Sequence, residues 1–176
     1  VFGEMLTFKS LLKKANSKNE RKVLLANKVE DMLNTVIRQI AFFQFEKEVH
    51  TLRRNSELSI DKICSIWMDV QKASLGPSIK YEEEYKYYWS YIPHFIHSPF
   101  YVYAYAFGDC LVNSLFNTYQ QGLKDFDNKY IELLKSGGSK KYDELFRPFN
   151  LNLSKKSFWK KGLNIIESFI EELETL

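Results

Sequence analysis

The stretch Trp89–Asp109 reads W-S-Y-I-P-H-F-I-H-S-P-F-Y-V-Y-A-Y-A-F-G-D. Eight of the eleven tyrosines lie between Tyr81 and Tyr105, and two of the three histidines, His94 and His97, lie among them. Buried hydroxyl and imidazole groups need hydrogen-bond partners, so cores are built mainly from aliphatic side chains and Phe. Rings with polar tips suit the wall of a cavity, where one end packs and the other meets a ligand. The stretch therefore predicts either a ligand-binding wall or an aromatic helix packed in a core.

Two prolines divide this stretch. Pro93 and Pro99 each disfavour helix at the residue before them, so Ile92–Ser98 is predicted to be irregular. Ser98 and Pro99 are typical of the N-cap and first position of a helix, which we expect to run to about Gln121.

Side-chain direction on that helix follows from its periodicity. Tyr101 and Tyr105 are one turn apart and share a face, whereas Tyr103 points elsewhere. The rings of Tyr101 and Tyr105 are therefore expected to line the same wall.

The rest of the chain has helical spacing of apolar residues, and no alternating strand pattern or internal repeat. The segment Ser17–Arg54 is predicted to be one long helix, continuous or interrupted once, with Ser17 and Glu20 as a capping box. The fold is therefore expected to be all-α, a multi-helix bundle. The other predicted helices are Val1–Lys14, Ser59–Leu75, Asn128–Ser136, Tyr142–Phe146 and Phe158–Leu173.

Composition excludes several classes of protein. The 176 residues suit one domain or part of a larger protein, and the interleaved charges, 25 basic and 22 acidic, give no argument for nucleic acid or an anionic membrane surface. No apolar run approaches the roughly 20 residues of a membrane span. Cys64 and Cys110 lie in apolar helical patterns and are predicted to be buried free thiols in a reducing compartment. The chain begins at Val1 inside a predicted helix, which indicates a portion of a longer protein.

Residues 93–108, P-H-F-I-H-S-P-F-Y-V-Y-A-Y-A-F-G, resemble the C-terminal signature of oligoendopeptidase F, a branch of the thimet-oligopeptidase superfamily of zinc metallopeptidases. The segments F-G-E-M-L, R-Q-I-A-F-F-Q-F-E-K-E-V-H, L-L-K-S-G-G-S and F-W-K-K-G-L follow in the order of that family. The resemblance covers nearly the whole chain. It implies that residues 1–176 are the C-terminal portion of the catalytic domain of a cytoplasmic zinc metalloprotease that cleaves short peptides.

The same resemblance implies roles for individual residues. Glu4 in F-G-E-M-L would be the third zinc ligand. Three donors would bind the substrate carbonyl and stabilise the tetrahedral intermediate: His94, Tyr101 and Tyr105. The spacing leaves open whether Tyr101 or Tyr103 faces the substrate, so Tyr103 and His97 are candidate substrate contacts.

The chain lacks part of the machinery that this chemistry requires. A catalytic zinc site needs three protein ligands, and the reaction also needs a carboxylate base. No H-E-x-x-H is present, and the only histidines are His50, His94 and His97. We therefore expect the zinc-binding helix to lie outside these residues, and the chain alone to be inactive and without tightly bound zinc.

Two other functional classes stay open. One is a helical module whose aromatic groove binds a peptide without cleaving it. The other is a small metal sensor that uses His94, His97 and Glu46, which would have to converge. Glu46 and His50 are four residues apart and could chelate a metal, but an ordinary pair on one helix face is favoured.

Overall fold

A computed structural model describes residues 1–176, and it contains helices and connecting segments without any β-strand. The all-α prediction is confirmed. No helix combines the length and the apolar character that crossing a membrane requires. The α-helices are α1 (Phe2–Lys14), α2 (Lys18–Thr35), α3 (Ile37–Arg53), α4 (Ile60–Leu75), α5 (His94–His97), α6 (Tyr103–Gln120), α7 (Phe126–Ser136), α8 (Tyr142–Phe146) and α9 (Lys156–Glu174), with 3₁₀ helices at Glu83–Tyr91 and Arg147–Phe149.

Several helix ends follow the local sequence signals. The Ser59 side chain accepts a hydrogen bond from the backbone N–H of Lys62 at 3.2 Å, which makes it the N-cap of α4. At the start of α2, the N–H of Glu20 donates to Ser17 Oγ at 3.1 Å, and the Glu20 carboxylate accepts from the N–H of Asn16 at 2.8 Å. The predicted long helix is interrupted once, at Val36, between α2 and α3.

The chain forms two compact units. The terminal unit comprises Val1–Glu30 and Gly108–Leu176. Its core contains seven buried residues from α6, α7, α8 and the segments that follow: Leu115, Phe126, Phe146, Phe149, Leu151, Leu153 and Phe158. The α1 residue Phe2 packs against this core, with its ring centroid 5.7 Å from that of Phe126. Aromatic packing of this kind is a large part of what holds the unit together.

The central unit is Asp31–Phe107. In it, α3 packs on α4, and α4 packs on the 3₁₀ helix Glu83–Tyr91. The buried Trp67 ring lies 5.5 Å from Phe42 and 5.3 Å from Phe45, and its indole N–H donates to the carbonyl of Tyr85 at 3.0 Å. That hydrogen bond satisfies the polar tip of a fully buried ring, so the 3₁₀ helix is fixed to the core.

Two predictions about the segment between the prolines are wrong. Residues His94–His97 form a single helical turn, although Ile92–Ser98 was predicted to be irregular. Pro99 does not begin the next helix, because Phe100 has a left-handed backbone with φ 62° and α6 begins only at Tyr103. The N–H of Phe100 donates to the side chain of Glu46, so this turn is held by a partner on α3.

Candidate functional site

Three of the predicted site residues meet in the central unit. His94 begins α5, directly after Pro93, and Tyr105 lies in the first turns of α6. Nε2 of His94 and the hydroxyl oxygen of Tyr105 are 3.1 Å apart, which is a hydrogen-bond distance. The Tyr101 ring stacks nearly parallel to His94 at a centroid distance of 6.3 Å, and it meets Tyr105 edge-on at 5.5 Å. We call these three residues the ring cluster.

The ring cluster lies at the surface, with Tyr101 52% and Tyr105 40% exposed. A neutral imidazole carries one N–H donor, and a phenol carries one O–H donor. If His94 donates to Tyr105, the phenol hydrogen is left to point outward. If Tyr105 donates to Nε2, the imidazole keeps its N–H at Nδ1. In either tautomer the hydrogen-bonded pair retains a neutral donor for a ligand.

Two further predicted residues, Tyr103 and His97, lie near the cluster in sequence but do not join it. Tyr103 packs edge-on against Phe43 of α3, with centroids 5.8 Å apart. Its ring therefore points away from Tyr101 and Tyr105, as the helical periodicity predicts. His97 closes α5 and is exposed. Their roles as substrate contacts stay predictions.

The tyrosines between Tyr81 and Tyr91, in and just before the 3₁₀ helix Glu83–Tyr91, divide into packed and exposed residues. The hydroxyls of Tyr81 and Tyr85 donate to the carbonyl and the side-chain oxygen of Gln71, at 3.0 and 3.2 Å. Burial raises the pKa of both hydroxyls, so they remain protonated. These two rings are therefore partly buried and held by Gln71. Several aromatic side chains between Tyr87 and Phe107, by contrast, are exposed to solvent.

Sequence reasoning missed the role of Glu46. This α3 residue is only 2% exposed, and its Oε1 accepts a hydrogen bond from the N–H of Phe100 at 2.9 Å. Its Oε2 is buried without a hydrogen-bond partner. Burial raises the pKa of the Glu46 carboxyl, while the Phe100 hydrogen bond and the nearby His50 and His94 oppose that increase. The spacing from Glu46 to His50 was visible in the sequence, but their shared neighbour, Phe100, was not.

Comparison with known proteins identifies the family of this chain. A sequence profile of peptidase family M3 matches residues 1–165. The chain belongs to peptidase family M3.

Relatives of this M3 chain match along its whole length. It is 30% identical to an oligoendopeptidase F homolog of Borreliella burgdorferi, over 100% of this chain and 30% of the relative. It is 27% identical to the chromosomal oligoendopeptidase F of Lactococcus lactis subsp. cremoris, over 99% of this chain and 29% of the relative. The chain thus spans about 30% of the length of these relatives.

The fold also agrees with a solved member. The M3 chain superposes on oligoendopeptidase-F from Enterococcus faecium with a TM-score of 0.88, covering 99% of this chain and 33% of that chain. The identity is 23%, so this likeness concerns the fold alone. It supports the helical architecture of both units.

The M3 family implies a metal, so the metal-binding capacity of the chain matters. No group of three or more His, Cys, Asp or Glu side chains is placed to hold an ion. Glu4 lies in the first turn of α1, in the terminal unit, with its side chain 73% exposed. An exposed carboxylate can act as one ligand, but a catalytic zinc site takes three protein ligands. The residues of this chain therefore do not fit a complete zinc site.

Proposed function

We propose that this chain is part of a zinc-dependent oligoendopeptidase that cleaves short peptides, in which it supplies the wall that binds the substrate carbonyl. The observation that carries the proposal is the hydrogen-bonded pair of His94 and Tyr105 beside Tyr101, at an accessible surface of an M3 chain. The relatives that match nearly the whole chain are named as oligoendopeptidase F, which supports the proposal.

The ring cluster suits the charge that peptide hydrolysis creates. Attack on the scissile carbonyl places negative charge on its oxygen, and preorganised donors near that oxygen lower the barrier. Zinc, when bound by the complete enzyme, would polarise that carbonyl and activate water. The Tyr105 hydroxyl would donate to the oxygen, while His94 holds its direction through the 3.1 Å hydrogen bond. A phenol suits this role because its hydroxyl donates a hydrogen bond without carrying charge.

The surroundings of the cluster suit an extended peptide. Tyr91 and Ile96 are strongly exposed, and Tyr87 and Tyr88 lie on the same 3₁₀ helix as Tyr91. Exposed apolar side chains that lie together are typical of binding surfaces. Tyr103 and His97 are further candidate contacts to the substrate chain.

A second function fits the same aromatic surface. A non-catalytic module could bind a peptide against these rings without cleaving it, since exposed tyrosines are common at interfaces. The full-length protein separates the two. Peptide turnover that a chelator abolishes and added zinc restores supports the peptidase, whereas peptide binding without turnover supports the module.

We expect the 176-residue chain alone to leave peptides intact. It carries no H-E-x-x-H and no group of side chains that could hold a metal, so both the ligand set and the base are missing. The measurement is fluorescence of a short quenched peptide incubated with the purified chain and zinc, beside full-length protein at the same concentration. Chelator-sensitive turnover by the chain alone would contradict the proposal.

The role of Glu4 is tested by zinc content rather than by activity. If Glu4 is a ligand, full-length Glu4→Gln should retain clearly less zinc after dialysis than wild type, because the amide is a weaker ligand than the carboxylate. The 176-residue chain should retain none, because one carboxylate is a small part of the roughly 10–16 kcal/mol of a complete structural site.

Glu20→Gln is the matched control, since this glutamate lies in the same unit and its carboxylate accepts the N–H of Asn16 as part of the α2 cap. Equal zinc content in wild type and Glu4→Gln would show that Glu4 is an ordinary exposed carboxylate. The third ligand would then be another residue of the full-length protein.

A further inference from the structure

The turn between α5 and α6 contains an unusual backbone conformation. Phe100 has φ 62°, in the left-handed region that bulky residues rarely adopt. Conformations of this kind are strained and persist only where surrounding contacts impose them. The contacts that impose this conformation on Phe100 therefore indicate the function of the turn.

One face of α3 supplies those contacts. Phe43, Glu46 and His50 are spaced three and four residues apart, so they lie on the same face. The Phe100 ring lies 6.4 Å from Phe43 and 4.9 Å from His50, between centroids. Glu46 lies between those two along the helix and accepts the backbone N–H of Phe100 at 2.9 Å. The rings hold the Phe100 side chain, and Glu46 holds its backbone N–H.

The residue after this turn belongs to the ring cluster. The Tyr101 N–H donates to the carbonyl of Ser98 at 3.1 Å, which closes the turn around Phe100. The Tyr101 ring then stacks on His94 with an angle of 6° between their planes. A rotation of the Phe100 backbone would displace Tyr101 first, because the two residues share a peptide bond.

A glutamate is a costly choice for this buried position. Its side chain is 2% exposed, and Oε2 has no partner. Burying a polar atom without a hydrogen bond lowers stability, so packing alone would favour an apolar side chain at this position of α3. The other carboxylate oxygen, Oε1, accepts one hydrogen bond, from the backbone N–H of Phe100. This hydrogen bond explains why the position carries a glutamate.

We propose that Glu46 is a positioning residue: its hydrogen bond to the Phe100 N–H fixes the left-handed turn and thereby sets Tyr101 against His94. This inference rests on the proposed function for its effect on catalysis, although the effect on the turn does not depend on it. Glu46 makes no hydrogen bond to any member of the ring cluster. It acts on the cluster through Phe100.

The test compares two substitutions at this position in the full-length protein. Glu46→Gln keeps a side-chain oxygen for the Phe100 N–H and removes the charge. Glu46→Met has similar length and shape but no comparable acceptor. Glu48→Met is the matched control, because Glu48 is an exposed residue of the same helix. For each variant, kcat and KM are measured on a short fluorogenic peptide, and crystal structures of the full-length Gln and Met variants are determined.

The expected kinetic result separates the two substitutions. Glu46→Met should lower kcat by about 10²-fold, since displacing a catalytic group by about 1 Å can cost that much. KM should change far less. Glu46→Gln should stay within a few-fold of wild type, and Glu48→Met should be silent. Combining Glu46→Met with Tyr101→Phe should lower kcat little below Tyr101→Phe alone, because both changes remove the same contribution.

The crystal structures give an answer that does not depend on activity. In Glu46→Met, the Phe100 backbone should leave the left-handed region, or the Tyr101 ring should separate from His94, while Glu46→Gln keeps both. An unchanged turn in Glu46→Met, or a Gln variant as impaired as the Met variant, would overturn the proposal. Full-length protein without peptidase activity would refute the proposed function instead, and the structures would still decide the role of Glu46.

Discussion

Full-length Tyr105→Phe should lose about 10²–10³-fold in kcat, the usual cost of removing one donor to the charge that develops during acyl transfer. KM should change little, because the phenol hydroxyl would act on charge that exists only in the transition state. The substitution keeps the ring, so the edge-on contact of Tyr105 with Tyr101 is retained. What is removed is the hydroxyl that lies 3.1 Å from Nε2 of His94.

Tyr103→Phe is the control for this prediction. Tyr103 lies two residues away on the same helix, is similarly exposed, and packs on Phe43 instead of the cluster. Its kcat should equal that of wild type, with at most a modest change in KM if the ring contacts substrate. A Tyr105→Phe enzyme with unchanged kcat would assign Tyr105 to packing. A large loss in Tyr103→Phe alone would move the donor role to Tyr103.

The helices could be predicted where their signals are local. The N-cap of α4 depends on Ser59 and a backbone N–H three residues later, and the cap of α2 depends on residues within one turn. Apolar spacing predicted the helix α1, in which Met5, Phe8 and Leu12 are buried. In each case the partners that decide the structure lie within a few residues, so the sequence pattern contains them.

The turn before α6 could not be predicted because its decisive partner is distant. Ser98 and Pro99 have the local form of a helix start, and this local preference is overridden by the hydrogen bond from Phe100 to Glu46, 54 residues away in sequence. The prediction from helical periodicity that Tyr101 and Tyr105 lie together is nevertheless correct, although Tyr101 precedes the helix. The stacking on His94 replaces the helical turn that was expected to bring them together.

The division of the tyrosines between core and site was also beyond the sequence. Tyr85 and Tyr105 lie in similarly aromatic stretches, and nothing in their neighbours distinguishes them. Tyr85 is fixed by its hydrogen bond to Gln71 and by a tilted ring contact with Trp67, whereas Tyr105 meets His94 at the surface. Composition could therefore locate the aromatic region, but only the tertiary contacts show which rings remain accessible.

A close helix crossing in the terminal unit gives the largest expected effect on stability. Gly162 of α9 lies against the backbone of α6, where an added Cβ would be 2.5 Å from the carbonyl oxygen of Cys110. One turn along both helices, Ser114 Oγ donates to the carbonyl of Phe158 at 3.0 Å. The absence of a side chain at Gly162 and the small side chain of Ser114 allow this approach.

We expect Gly162→Ala to lower the free energy of unfolding by about 3 kcal/mol, at the upper end of the usual cost of overpacking, because the atom that must yield is backbone. For a domain of this size that corresponds to a fall in Tm of roughly 6–12 °C.

Gly108→Ala is the matched control. Gly108 is also a helical glycine, but an added Cβ there would meet nothing within 4 Å, so the higher helix propensity of Ala should leave Tm unchanged or raise it slightly. Thermal unfolding followed by circular dichroism measures both variants beside wild type. If Gly162→Ala has the same Tm as Gly108→Ala, α6 and α9 can move apart at little cost in free energy. The backbone contact at Gly162 would then not be what fixes the distance between these helices.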